Sequence, residues 1–255
     1  IENCNLFCLG LHALDINNGC SQTYICNNHI YDIGAGGIKM GGQGYNYKAT
    51  KVGNVHHDYD GNYPPEDPRL ETHGNTVRNN LIEKCGRRYY AGCGILMKDT
   101  YNNYIGHNEI TDLYYTGISL GWVWGYYENM SHDNLIEKNY IHDIGCKVLS
   151  DMGGIYILGK QPGTIIRGNL IHDVHCYEYG AWGVYADEGA CYITVENNLC
   201  YNNDKNGFHQ HYGRMNTIRN NIFAKNSQAA ANVSCPSVNN NAIFERNIMV
   251  TFGDQ

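Results

Sequence analysis

Carboxylates, imidazoles and aromatic rings gather in three short stretches of this 255-residue chain: Leu-Ser-Asp-Met-Gly-Gly-Ile-Tyr (149–156), Trp-Gly-Val-Tyr-Ala-Asp-Glu-Gly (182–189) and Gly-Phe-His-Gln-His-Tyr-Gly (207–213). Two carboxylates across a cleft are the usual equipment for breaking a glycosidic bond, one as acid and the other as base or nucleophile. Asp151 and Asp187 are the candidate pair, with Glu188 the alternate for the second role. His209 and His211 could tune either carboxylate by hydrogen bonding or charge. Tyr and Trp offer flat apolar faces with a polar edge, which suits sugar rings. A solvated Asp capping a turn is the common alternative, so the chemistry depends on whether the fold brings these stretches together.

An internal repeat supplies the means. The pattern Asn-x-apolar recurs at Asn5, Asn28, Asn80, Asn108, Asn139, Asn169, Asn198, Asn221 and Asn247, spaced by 23 to 31 residues except for one gap of 52. A second marker, Gly followed by an apolar residue and then alternation, recurs at Gly37, Gly94, Gly117, Gly154, Gly183 and Gly207. Regular Leu spacing and a helical half, the marks of a leucine-rich repeat, are both missing. The pattern predicts an all-β chain: a right-handed parallel β-helix of about nine to ten coils, forming one domain over residues 1–255. Each coil offers two or three short strands, and the repeated Asn fits a turn where its amide stacks on the Asn of the next coil. Composition agrees, since Gly (30 residues), Tyr (22 residues) and abundant Asn disfavour helices and suit strands and turns.

Loop lengths then locate a groove. Against the shortest coil, which starts at Asn198, the coils at Asn80, Asn139 and Asn169 carry five or six extra residues before the Gly strand. After that strand come an aromatic insertion at residues 121–131 and a long polar one at 41–73. Insertions on both sides of one strand column wall a groove along it. Side chains alternate along a strand. With Ile38, Ile95, Ile118, Ile155, Val184 and Phe208 inward, the outward column reads Lys39, Leu96, Ser119, Tyr156, Tyr185, His209. Two residues on, it reads Gly41, Lys98, Gly121, Leu158, Asp187, His211, which sets Asp187 and His211 on adjacent strands about 4.8 Å apart. Substrate contacts are expected from Lys98, Trp122, Trp124, Tyr156, Tyr179, Trp182, Tyr185, His209 and His211.

Other features are weaker. His142-Asp143 and His172-Asp173 share one repeat position with Asp32, Asp112 and Asn202, which a turn explains better than a catalytic dyad. The carboxylates gathered there leave room for calcium, but no metal or other cofactor is indicated. His56-His57-Asp58 lacks partners at metal-binding spacing. The 11 cysteines, odd in number and irregularly spaced, make no disulfide framework. Cys146 and Cys176 should stack on neighbouring coils as reduced thiols. A net charge of −7 argues against a nucleic-acid partner, and no apolar run approaches the roughly 20 residues that span a bilayer. The opening Ile1-Glu2-Asn3-Cys4 has no signal-peptide pattern. The chain is expected to be part of a longer precursor, monomeric, and secreted to the extracellular space or periplasm, with a polysaccharide or oligosaccharide as its partner.

Together with Gly-Ile-Ser-Leu-Gly-Trp-Val-Trp-Gly-Tyr (117–126), the three stretches above resemble the bacterial right-handed β-helix proteins of glycoside hydrolase family 141 and their close relatives, over about residues 28 to 226. The resemblance implies α-L-fucosidase or xylanase activity on plant cell-wall glycans. It also implies catalytic aspartates in the Asp-Met-Gly-Gly and Asp-Glu-Gly motifs, here Asp151 and Asp187. The chain departs from such enzymes in being short and without their extra domains. Two other readings stand beside hydrolysis, because a β-helix does not fix function. A polysaccharide lyase would need a Lys or Arg base and a cation to neutralise a uronate; Lys98 is in the outward column, but Arg is sparse near the patch. A non-catalytic glycan-binding or adhesin solenoid would need neither.

Overall fold

Alternating β-branched and polar residues favour short strands that bury one face, and each coil of the computed structural model is built from three of them. The structure describes residues 1–41, 47–49, 59–62, 67–235 and 241–252. In one representative coil Ile165–Arg167 lies in sheet 1, Leu170–Val174 in sheet 2 and Trp182–Ala186 in sheet 3. Equivalent strands of successive coils pair in parallel, giving eight strands in sheet 1, nine in sheet 2 and eight in sheet 3 among the described residues. The result is a parallel β-helix, as the repeat predicts.

Inside, like stacks on like. Ile136 and Ile166 from sheet 1, Ile141 and Ile171 from sheet 2, and Ile155 and Val184 from sheet 3 are all fully buried. Each such side chain contributes about 1.5–3 kcal/mol on leaving water. The expected inward column of sheet 3 holds throughout: Ile38, Ile95, Ile118, Ile155, Val184 and Phe208 are in register and without exposed surface. The marker glycines have a packing cause. A Cβ at Gly154 would lie 2.4 Å from Cγ2 of Ile171, so the inward isoleucine of sheet 2 fills the space a side chain there would need.

The turn between sheets 1 and 2 carries an asparagine ladder. Nδ2 of Asn139 donates to Oδ1 of Asn169 at 3.0 Å, and Nδ2 of Asn169 donates to Oδ1 of Asn198 at 2.9 Å. The backbone N–H of each donates to the same oxygen, at 2.9 Å in both cases. The second hydrogen of each Nδ2 goes to a sheet 1 carbonyl of the preceding coil, as from Asn169 to Ile136 at 3.0 Å. The pattern runs from Asn28 to Asn247. Asn5 is outside it, one residue beyond the repeat position and opposite His29. Cys4 takes that place, with its N–H donating to Oδ1 of Asn28 at 3.0 Å; the Asn-x-apolar pattern matched one residue late because a strand starts directly at Asn5. Shorter ladders absent from the sequence reading run through Asn75, Asn103 and Asn134 and through Asn203 and Asn226.

Asp32, Asp112, Asp143, Asp173 and Asn202 all adopt left-handed backbone, with φ from 48° to 54°. Asp and Asn tolerate that conformation better than most side chains, which accounts for their shared repeat position as a turn. All eleven cysteines are free, with Cys146 exposed and Cys176 buried. Within the 41–73 insertion, Tyr47–Ala49 pairs antiparallel with Tyr59–Asn62, and Pro68–Leu70 forms a 3-10 turn. His56, His57 and Asp58 lie outside the described residues. Among the described residues no group of three or more His, Cys, Asp or Glu is arranged to hold a metal ion, and no helix is long and apolar enough to cross a membrane.

The ladder makes a direct prediction. Asn169→Asp keeps the shape of the side chain but removes both donors, leaving Oδ1 of Asn198 and the carbonyl of Ile136 short of a partner. Each buried group so stranded costs about 1–3 kcal/mol. Urea unfolding at neutral pH should therefore show a loss of at least about 2 kcal/mol, and an unchanged midpoint would contradict the structural role given to the ladder.

Candidate active site

The site grows on the outer face of sheet 3, where strands Gly153–Ile157, Trp182–Ala186 and Asn206–His211 lie side by side. Register places Tyr156, Tyr185 and His209 in one outward column. Their rings stack: Tyr156 on Tyr185 at 4.8 Å and 14°, and Trp182 on His209 at 4.4 Å and 11°. Asp187 follows directly after Ala186, which pairs with Gln210, so Asp187 and His211 sit opposite one another on adjacent coils. The Tyr156 hydroxyl donates to Oδ2 of Asp187 at 2.6 Å.

Asp151 arrives from the loop before Gly153. Its backbone is left-handed (φ 59°), its N–H donates to the Tyr179 carbonyl at 2.9 Å, and its own carbonyl accepts from the Tyr115 hydroxyl at 2.8 Å. Gly180 permits this approach: a Cβ there would lie 2.6 Å from the Asp151 nitrogen, and its φ of 99° already favours glycine. The Tyr185 hydroxyl donates to Oδ1 of Asp151 at 3.2 Å and also interacts with Asp187. Two stacked phenols thus each hold one of two carboxylates from neighbouring coils.

Asp151, Tyr179, Trp182, Tyr185, Asp187, Glu188, His209 and His211 line a pocket of about 320 Å³. Tyr156 lies beneath it and acts through Asp187. Trp124 packs against the cluster of Tyr156, Leu158, Trp182 and Tyr185. Lys98 and Trp122 do not reach the pocket; the Lys98 ammonium sits 4.2 Å from the centre of the Trp122 ring, and Trp122 meets Trp124 edge-on at 5.0 Å. The sequence places Lys98 on the column but not along it, and it is three coils before Asp187.

Three contributors escaped the sequence reading. Tyr115 anchors the Asp151 carbonyl. Asn206 accepts from the Trp182 indole N–H at 2.9 Å, and its place just before the marker Gly207 was a usable signal. Ser234 ends the strand Ala229–Ser234, in register with His211; there the marker glycine is replaced by alanine, so the column was followed one coil too few.

Burial holds the Asp151 carboxyl above the ordinary range, and the negative charge of Asp187 adds to this; the Tyr185 hydrogen bond and His211 oppose it. Burial also raises Asp187, against hydrogen bonds from Tyr156 and Tyr185 and the influence of His211. His209 is pushed down to about 4, first by burial and then by His211, and is neutral at pH 7. Two carboxylates with unlike environments above a stacked aromatic floor can support paired acid and base chemistry on a ring-shaped substrate.

Comparison with known proteins agrees with this architecture. The profile of the right-handed β-helix region matches residues 125–252, half of the chain, and the chain belongs to that family. A solved structure titled glycoside hydrolase superposes with a TM-score of 0.68 at 23% identity, over 96% of this chain and 35% of that one. The chain therefore spans about a third of that structure's length. No curated protein matches.

The raised carboxyl of Asp187 has a thermodynamic consequence. The folded protein keeps a proton that the unfolded chain releases near pH 3.8, so stability falls as pH rises from there through the folded value. Asp187→Asn should raise the melting temperature at pH 7, with the gain vanishing below about pH 3.8. Calorimetry showing a lower melting temperature for the variant at pH 7 would contradict the burial argument.

Proposed function

We propose that this protein is a secreted carbohydrate-active enzyme that hydrolyses glycosidic bonds of a plant-type polysaccharide, with Asp151 and Asp187 as its reacting pair. The observation that carries this reading is a pair of carboxylates from neighbouring coils, Asp187 buried and Asp151 half-buried, each held by one of two stacked phenols in a pocket floored by aromatic rings. Asp187 receives the Tyr156 hydrogen bond at 2.6 Å, which favours its ionised form. Asp151 receives the longer Tyr185 bond at 3.2 Å and feels the charge of Asp187, which favours the proton. Asp151 is then the general acid that protonates the departing oxygen, and Asp187 the base or nucleophile, with Glu188 beside it as the alternate. In this reading the protein acts as a monomer without cofactor, outside the cytoplasm, on glycans of the kind its resemblance to glycoside hydrolase family 141 implies.

The charge around the pocket favours this over a lyase. Three of the eight lining residues are acidic, and His209 is neutral. Lys98 is held over Trp122, and the Arg214 guanidinium sits 3.5 Å from the centre of the Tyr126 ring. A uronate would meet carboxylates with no Lys or Arg among the pocket-lining residues to neutralise it. A pure binding site has no need to place two carboxylates, one of them buried, in one pocket, since each resists desolvation.

Reducing-sugar release from a panel of plant polysaccharides tests the proposal. The unaltered protein should release sugar, and Asp151→Asn and Asp187→Asn should each lower turnover by about 10²–10⁴-fold or more, with unchanged circular dichroism. Unsaturated, ultraviolet-absorbing products would favour the lyase instead. Glycan binding with no release on any substrate would leave the non-catalytic solenoid.

A further inference from the structure

Ser234 stands between the two imidazoles of the pocket. Its Oγ lies 2.8 Å from Nδ1 of His211, 3.4 Å from Nε2 of His209 and 3.4 Å from the Gln210 carbonyl oxygen. A serine hydroxyl has one hydrogen and two acceptor lone pairs. The carbonyl can only accept, and directing the hydroxyl hydrogen to Gln210 leaves both lone pairs facing ring nitrogens, the arrangement that satisfies all three contacts at once. His211 then carries its hydrogen on Nδ1, and His209 carries its own on Nε2.

A second observation fits this assignment. Nδ1 of His209 is buried with no hydrogen-bond partner among the described residues. With the hydrogen on Nε2, that nitrogen is a bare lone pair, which costs less to leave unpartnered than an orphaned N–H. Trp182 fixes the ring by stacking on it at 4.4 Å, and the Trp182 indole is itself tied to Asn206 at 2.9 Å.

We propose that Ser234 is a positioning residue: by accepting Nδ1–H of His211, it holds that imidazole with Nε2 free to serve the Asp151 and Asp187 carboxyl groups. The inference rests on reading those two carboxylates as the hydrolytic pair. Around His211 the titratable groups are Asp151, Asp187, Glu188 and His209 across the pocket and Tyr212 against its ring, with Cys235 beside Tyr212. His211 lines the same pocket as both aspartates, so the direction in which its Nε2 lone pair points bears on proton transfer there, and Ser234 sets that direction without touching either carboxyl.

The test compares Ser234→Ala and Ser234→Thr with the unaltered protein. Long-range ¹H–¹⁵N spectra of histidine-labelled protein report the His211 tautomer directly, whether or not a substrate is known. The Nδ1–H form should dominate in the unaltered protein and in Ser234→Thr, and give way to a mixture in Ser234→Ala. On any glycan the protein hydrolyses, Ser234→Ala should displace the pH profile of kcat and lower kcat with little change in KM, and Ser234→Thr should restore both. An unchanged His211 tautomer in Ser234→Ala would overturn the proposal even if hydrolysis is confirmed. A shifted tautomer in a protein that hydrolyses nothing would uphold the Ser234–His211 contact while removing the hydrolase reading on which its role depends.

Discussion

The hydrogen bonds of the ladder asparagines set the geometry on which everything else depends. A coil of this solenoid must turn sharply between sheets 1 and 2, and a turn leaves backbone donors and acceptors inside the wall of the helix without ladder partners. Each Asn side chain meets that need completely. Its oxygen takes two hydrogens from the coil before, and its amide gives one to the coil after and one to a backbone carbonyl. Because every lone pair and hydrogen is used, a slip by one residue would strand several buried groups at once, each costing about 1–3 kcal/mol. The ladder fixes register; the stacked isoleucines supply the bulk of the stabilisation.

Fixed register is what lets distant stretches meet. Asp187 and His211 are opposite one another because Ala186 pairs with Gln210, and Tyr156 reaches Asp187 because its strand is one coil away in the same register. Loop lengths stay free, so the chain can place Asp151 beside this column from a loop rather than a strand. That loop carries the local cost: left-handed backbone at Asp151, and a glycine at 180 to let two turns touch. Left-handed residues recur at ordinary turns throughout the coils, so the conformation of Asp151 gains meaning only from the phenols and carboxylate around it.

How much was legible follows the same division. Strand columns could be read, because period-2 alternation and a repeated Asn and Gly are written into the sequence. Asp187, Tyr185, His209 and His211 came out in their correct order for that reason. Loop geometry could not be read. Nothing in the spacing of Lys98 and Trp122 says that they pair with each other rather than with the pocket, and nothing near Tyr115 announces a bond to Asp151 one loop away. The two missed ends of the repeat have a simpler cause: at Asn5 a chance match displaced Cys4 from the ladder, and at Ser234 an alanine in place of the marker glycine hid a further strand of the column.

The central claim is that water, activated and opposed by a pair of carboxylates, breaks the glycosidic bond. Turnover of a susceptible glycan in H₂¹⁸O, followed by mass spectrometry of the products, tests it most directly. Hydrolysis predicts one ¹⁸O per bond cleaved, at the anomeric carbon of the fragment that gains a reducing end, while the other fragment keeps the original glycosidic oxygen. Products that lack the label and carry a new carbon–carbon double bond would contradict the claim and assign the pocket to elimination.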